Sequence, residues 1–422
     1  MRASRSTSRS VGSGWLWLAV GVLVATASCG RPAPIGPSPD GDGDGDLDAD
    51  VDADADGDAD ADGDGDGDGD TDSDADGDAD ADDADVDSDF EVAECGCPSP
   101  FESCGPIADV AFSYWNDDLA EQLLQGIACA ETSLKIAVYD VTSPCLVDAV
   151  LAAATANPGL EVQVVTEFDT CGRVEGVLIC ELSRLEEAGV ADVVIDNRPS
   201  YLMHSKFMII DGTQAIVSTA NWTEAGLCGE FNGSVLIESQ PIVDALDAEF
   251  DRFYVDQEFG ATPWVEPISD GGIDLYFSPS GEDWQNELLR RIEEAEGSIE
   301  FMAFAFTRDD LAQAMVDAAA RGVEVRGVIS HQFFTTRYPS VPLMVDAGLD
   351  IRVGAVHHKT TLIDSGDGHV AVETGSGNLS SAARDHNNEV VLFLDDDEGL
   401  FDAFSAEFDR VWAASEVETL EE

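Results

Sequence analysis

The chain has 422 residues and a formal net charge of −67, with 87 acidic side chains against 20 basic ones. That length exceeds one small domain, and the charge argues against tight, non-specific nucleic-acid binding, which depends on Lys and Arg. The acidity is not confined to one tail, because residues 90–422 still carry 61 acidic against 16 basic side chains.

Residues 1–28 read as a secretory signal. Arg2, Arg5 and Arg9 precede an apolar run at 15–27, and small residues follow. The run is too short to span a bilayer comfortably. Cys29 directly after Ala27 and Ser28 resembles a bacterial lipoprotein signal, although Thr26 stands where Leu is commoner. Cys29 is therefore expected to be lipidated. It would tie an exported protein to the cell envelope, on the periplasmic or outer-membrane face.

Residues 29–89 form the next block. Within it, residues 40–89 hold 26 Asp and no base, alternating with Gly or Ala. Like charges repel and nothing is available to bury, so a disordered tether is expected, with a reach on the order of 165 Å. Asp52 to Gly57 begins like a calcium loop, but the twelfth position is Gly63 rather than Glu. Diffuse counter-ion binding suits it better.

Residues 90–105 are a cysteine-rich lead-in. Apart from Cys29 the chain has Cys95, Cys97, Cys104, Cys129, Cys145, Cys171, Cys180 and Cys228. An even number in an exported context predicts disulfides. The spacing of the first three is not a familiar zinc pattern.

Two halves follow, 106–262 and 263–422, with the same order of patterns. Strand-like 134–141 and 299–306 each lead to a helical pattern, at 145–156 and 309–320. Strand-like 160–165 and 323–329 come next, then helical 182–188 and 342–347, then short strands 193–195 and 351–353. Each half closes with the same words, Ala-Glu-Phe-Asp-Arg, at 248–252 and 406–410. We read these as packing helices. Residues 257–272, rich in Pro and Gly, read as the linker. Strands alternating with helices define a duplicated α/β fold.

One further word repeats. His204, Lys206 and Asp211 share a spacing with His357, Lys359 and Asp364, and two of the chain's three lysines lie in these copies. In a strand, residues i and i+2 share a face, so each His and Lys is expected to point the same way. An imidazole serves as nucleophile or proton carrier, and an adjacent lysine supplies charge for a phosphoryl oxygen. Ser218-Thr219-Ala220-Asn221 and Gly375-Ser376-Gly377-Asn378 follow the two copies.

This constellation resembles the phospholipase D superfamily, with its H-x-K-x4-D motif followed by G-S-x-N, over roughly residues 106–415. The second copy fits without change; the first has Ser218 for Gly and Thr219 for Ser. The resemblance implies two similar lobes, each a mixed β-sheet flanked by helices, related by pseudo-two-fold symmetry. It implies one cleft holding His204, Lys206 and Asn221 against His357, Lys359 and Asn378. His204 would be the nucleophile, forming a phosphohistidine, and His357 the acid and later the base. Lys206, Lys359, Asn221 and Asn378 would bind phosphoryl oxygens, with Thr219 and Ser376 in support. Glu389 matches a position that orients a catalytic histidine, where the first lobe shows Phe231-Asn232-Gly233 without an acid. Asp211 and Asp364 complete the catalytic motif set, although in the family these aspartates are mainly structural, held at the strand end. His331, His358, His369 and His386 have no duplicated partner and are expected on the surface, in loops or at the substrate rim.

The expected function is metal-independent hydrolysis of phospholipid head-group diesters, with no cofactor. The expected partners are a phospholipid or other phosphodiester, and the membrane through the lipidated N-terminus. Nucleic acid is the alternative substrate, as for an endonuclease of the same superfamily, and the acidic charge disfavours it. A phosphatidyltransferase and a catalytically silent envelope scaffold are the other readings.

Overall fold

The computed structural model describes residues 103–114, 118–174, 176–198, 201–264, 266–280, 283–418 and 420. The signal, Cys29, the Asp-rich tether, Cys95 and Cys97 lie outside these residues. The first lobe runs β1 (Val110–Phe112), α1 (Asp118–Cys129), β2 (Ser133–Val138), α2 (Pro144–Ala156) and β3 (Glu161–Glu167). A short hairpin of β4 (Arg173–Val174) and β5 (Val177–Leu178) follows. Then come α3 (Ser183–Glu187), β6 (Ala191–Asp196), β7 (Lys206–Ile210), β8 (Gln214–Ser218), β9 (Gly233–Ile237) and α4 (Gln240–Tyr254). The second lobe opens with β10 (Ile268–Asp270), β11 (Ile273–Ser278), α5 (Trp284–Glu294), β12 (Ser298–Ala303), α6 (Asp309–Arg321) and β13 (Glu324–Ser330). It continues with α7 (Ser340–Asp346), β14 (Asp350–Gly354), β15 (Lys359–Asp364), β16 (Val370–Gly375), α8 (Ser381–Asp385), β17 (Glu389–Asp395) and α9 (Glu398–Ala414).

The sheet orders are β1-β9-β8-β7-β2-β3-β6 and β10-β11-β17-β16-β15-β12-β13-β14. In each, three strands are parallel, β2-β3-β6 and β12-β13-β14, because a helix returns the chain to the same edge. The motif strands β7 and β15 then run antiparallel to β2 and β12. The expected strands and helices are present, with β2 and β12 ending at Val138 and Ala303. Sequence reading missed α1, α5, α8 and the strands that follow or flank the motif strands, β1, β8, β9, β10, β11, β16 and β17, together with the β4–β5 hairpin. It also put Gly271 and Gly272 in a linker. They form the two-residue turn of the β10–β11 hairpin, both at positive φ (63° and 88°), which glycine tolerates without strain.

Local signals explain the helix starts. The Asp283 side chain accepts from Gln285 N at the head of α5, and Asp397 caps α9. Gly322, left-handed at φ 101°, closes α6. Strand periodicity explains the core. On β7, Phe207 and Ile209 enter an apolar cluster shared with Leu362, Val372 and Leu392 of the other sheet, sealed by Phe250, Phe253, Phe404 and Phe408. Met208 and Ile210 face the opposite way, into the cluster under α1 and α2. Both faces are covered, so β7 is buried at every position.

Disulfides join Cys104 to Cys129 and Cys171 to Cys180, and Cys145 and Cys228 are disulfide-bonded as well. The first closes a sequence separation of 25 residues and pins the lead-in to α1. A Cys129→Ser chain should lose about 3 kcal/mol of unfolding free energy in urea titrations, mainly through a freer unfolded state. An unshifted midpoint would show that the bridge contributes nothing to the fold.

Candidate active site

Neither motif histidine lies in its strand. β7 and β15 begin at Lys206 and Lys359, and the segments just before them, Met203–His204 and Val356–His357, pair with the other lobe. Met203 bridges to Asn388, and Val356 bridges to Phe231. His204 N donates to the Asn388 carbonyl at 3.0 Å, and His357 N donates to the Phe231 carbonyl at 2.9 Å. The contact is reciprocal: each lobe offers the same two segments, as a two-fold relation between like units requires.

The same crossings orient both imidazoles. His204 Nδ1 lies 2.8 and 2.9 Å from the two carboxylate oxygens of Glu389, across the lobe boundary. His357 Nδ1 lies 2.9 Å from Asn232 Oδ1, also across it. The hydroxyls expected to support the site act on these acceptors. Ser376 Oγ donates to Glu389 Oε2 at 2.5 Å, and Thr219 Oγ1 donates to Asn232 Oδ1 at 2.8 Å. Asn232 Nδ2 is committed to the Gly226 carbonyl at 3.0 Å, which turns its oxygen toward His357. With Nδ1 engaged by an acceptor in each ring, the chemistry falls to Nε2, which on His357 lies 3.1 Å from Lys359 Nζ.

The lysines complete the charge. Lys206 and Lys359 are each 1% exposed. Each Nζ donates to the carbonyl of its own histidine at 2.8 Å. Lys359 Nζ also lies 3.1 Å from both ring nitrogens of His357. Matched aromatic rings wall the pairs: Tyr139 lies against His204 and Lys206, Phe304 against His357 and Lys359. Burial, then the charges of Lys359, Lys206 and His204, hold the His357 imidazole well below its ordinary basicity. Groups from both lobes therefore act on one ring. Burial pushes the Glu389 carboxyl up to about 8, while Lys206 and Lys359 pull it the other way, so the form that accepts from His204 Nδ1 and carries charge is the ionised fraction, which grows as pH rises toward 8.

Asn221 and Asn378 follow β8 and β16 and are buried, and among the described residues the Asn221 Oδ1 atom and both polar atoms of the Asn378 side chain have no hydrogen-bond partner. The Gly-for-Ser difference has a steric account. Gly375 has φ 142°, and a Cβ there would lie 2.2 Å from the Val390 carbonyl oxygen. In the first lobe Ser218 instead donates its hydroxyl to the Gly233 carbonyl and accepts from Ala220 N.

Two expectations need correcting. Asp211 and Asp364 are not at the histidines. Each lies five residue steps, roughly 16 Å of extended chain, beyond its lysine. Burial alone would raise the Asp211 pKa, but its carboxylate accepts from the amides of Ser133, Thr132 and Glu131, and these hold the pKa below the ordinary range. Asp364 accepts from Gly366 N. They secure strand ends. His358 is not on the surface or the rim: it is buried, with Nε2 3.4 Å from Glu407. His331, His369 and His386 are exposed as expected. Sequence reading missed the role of Asn232, whose signal was its place opposite Glu389 in the duplication, and that of Tyr139 and Phe304, matched at the ends of the first strands. Among the described residues no group of three or more His, Cys, Asp or Glu is placed to hold a metal ion.

A family model described as "Cardiolipin synthase, PLD-like domain" matches residues 123–254 and 288–412. Together with the duplicated fold and its paired His–Lys sets, this match means that the chain belongs to the phospholipase D superfamily. It is 33% identical over 138 residues to the human mitochondrial cardiolipin hydrolase, covering 32% of this chain and 53% of that protein. To a phospholipase D of Rickettsia prowazekii (strain Madrid E) it is 31% identical over 136 residues, covering 31% and 64%. The chain thus spans about half the length of the first of these relatives. Among solved structures, phosphatidylserine synthase from Haemophilus influenzae Rd KW20 aligns with a TM-score of 0.58 at 12% identity, covering 76% of this chain and 90% of that one. That likeness concerns the fold.

Proposed function

We propose that this chain hydrolyses phosphodiesters by the phospholipase D route, on phospholipid head groups, through a phosphohistidine. The observation that carries the reading is the reciprocal fixing of two imidazoles by acceptors from opposite lobes, beside two buried lysines. His204 Nε2 attacks phosphorus, and the N–P bond forms as the bond to the head-group oxygen breaks. His357 gives that oxygen its proton. Water then attacks phosphorus, loses a proton to His357, and the N–P bond breaks to release phosphatidate. Glu389 supports His204 as the nucleophile, because the ring gains positive charge as the N–P bond forms and a carboxylate beside Nδ1 offsets it. The negative diester, bound between Lys206 and Lys359 with Asn221 and Asn378, offsets the charges that hold His357 neutral, and so suits it to carry a proton. The lysines supply the charge that a metal ion supplies elsewhere. Cys29 lipidation and export would set the site beside its substrate, and the acidic surface disfavours DNA or RNA.

The test uses the full chain with phosphatidylcholine or cardiolipin vesicles and, separately, plasmid DNA, with and without EDTA. Phosphatidate should form in EDTA and fall at least about 10³-fold in His204→Ala. DNA nicking without lipid hydrolysis would replace the lipid reading with the nuclease one, and loss of activity on chelation would refute the metal-free route.

A further inference from the structure

The repeated Glu-x-x-Arg words of α4 and α9 do more than pack. In α4, Arg252 Nε donates to Glu249 Oε2 at 2.9 Å and Nη2 donates to Oε1 at 2.6 Å. Held this way, the guanidinium also donates to the backbone carbonyls of Glu258 at 2.6 Å and Gly260 at 3.4 Å. Gly260 then grips the side chain of Asn388 from the other lobe at two points. Its N–H donates to Asn388 Oδ1 at 2.8 Å, and Asn388 Nδ2 returns to its carbonyl at 2.8 Å. The Asn388 carbonyl accepts from His204 N and from Ser205 Oγ, and the next residue is Glu389.

The second lobe repeats the device with other atoms. Arg410 pairs with Glu407 and donates to the Ser113 carbonyl at 3.2 Å, in the first lobe. Ser113 N donates to the Asn232 carbonyl at 3.0 Å, and Asn232 N donates back to Ser113 Oγ at 2.8 Å. Asn232 holds His357. Each path therefore crosses to the opposite lobe, from Arg252 through Gly260 and from Arg410 directly, and returns to the histidine of the arginine's own lobe.

A buried ion pair is weak evidence for stability, since desolvation offsets its attraction. Here both pairs keep donors that reach the backbone beside a histidine-orienting residue, and an imidazole displaced by an ångström loses rate steeply. We infer that Arg252 and Arg410 are positioning residues that set His204 through Asn388 and Glu389, and His357 through Ser113 and Asn232. Only the kinetic arm of the test rests on the phosphodiesterase reading.

The full chain would be compared with Arg252→Lys, Arg252→Met and Arg410→Lys. On phosphatidylcholine vesicles, Arg252→Lys should lower kcat roughly ten- to hundredfold, with KM within about twofold. Adding Glu389→Gln to Arg252→Met should cost little more than Glu389→Gln alone, since both act through one imidazole. Losses that multiply would mean that Arg252 only packs. The second arm needs no activity. In proton NMR, Arg252→Lys should shift the downfield Nδ1–H signal of His204 and leave that of His357, and Arg410→Lys should do the reverse. Unmoved or jointly moved signals in a folded Lys variant would overturn the inference. An inactive parent chain would count against the hydrolase reading and leave the NMR arm to decide this one.

Discussion

Exchanging Glu389 for glutamine should lower kcat by roughly 10³- to 10⁴-fold with the fold intact. The carboxylate accepts from His204 Nδ1, and Ser376 Oγ donates to Oε2. In a glutamine of the same shape, the Ser376 hydroxyl claims the single carbonyl oxygen. The amide N–H is then turned toward Nδ1, which must accept, and the ring proton moves to Nε2. That is the nitrogen needed as a lone pair. The substitution also removes the charge that steadies the ring as it becomes cationic. Glu389→Asp keeps the charge and should recover part of the rate. The measurement is kcat on vesicles beside the thermal midpoint; a Glu389→Gln chain within about fivefold of the parent would mean that tautomer control does not limit the reaction.

Replacing Glu373 by isoleucine should stabilise the protein, and by more as pH rises. Glu373 is buried on β16 opposite Thr361 of β15, and burial, with no hydrogen bond to either carboxyl oxygen among the described residues, pushes its carboxyl up to about 8 from 4.5. The equivalent place in the first lobe, opposite Met208, is Ile216. Between pH 4.5 and about 8 the folded state keeps a proton that the unfolded chain has released. Stability is therefore full below pH 4.5, falls across that window and levels off above it. The full shift corresponds to about 5 kcal/mol as an upper figure. Unfolding free energies from urea titrations of Glu373→Ile and the parent should nearly coincide at about pH 4.5 and separate by several kcal/mol at about pH 8.5. A gap that does not widen with pH would show that the buried carboxyl does not titrate as argued.

The fold was readable where its periodicity was strong. The motif strands carry apolar residues on both faces, and the repeat of strand, helix and closing Ala-Glu-Phe-Asp-Arg exposed the duplication before any contact was known. The outer strands and α1 and α5 were harder, because short edge segments such as Val110–Phe112 carry little pattern. The Gly271-Gly272 turn shows the cost of reading glycines as linker: the same pair serves a hairpin, and only pairing partners tell the two apart.

The amino-acid order by itself determined which groups can do chemistry here: two histidines, two lysines, two asparagines and one acid at Glu389, in matched frames. It could not say what each touches. The i and i+2 argument put His and Lys on one strand face, yet both histidines lie before their strands, held by the opposite lobe. Asn232 owes its role to the same crossing, as does the lowered basicity of His357, which comes from burial and from lysines 153 residues apart in the chain. Charges and hydrogen bonds act through distance in space, and a linear pattern holds no record of which distant segments the two shared β-bridges bring together.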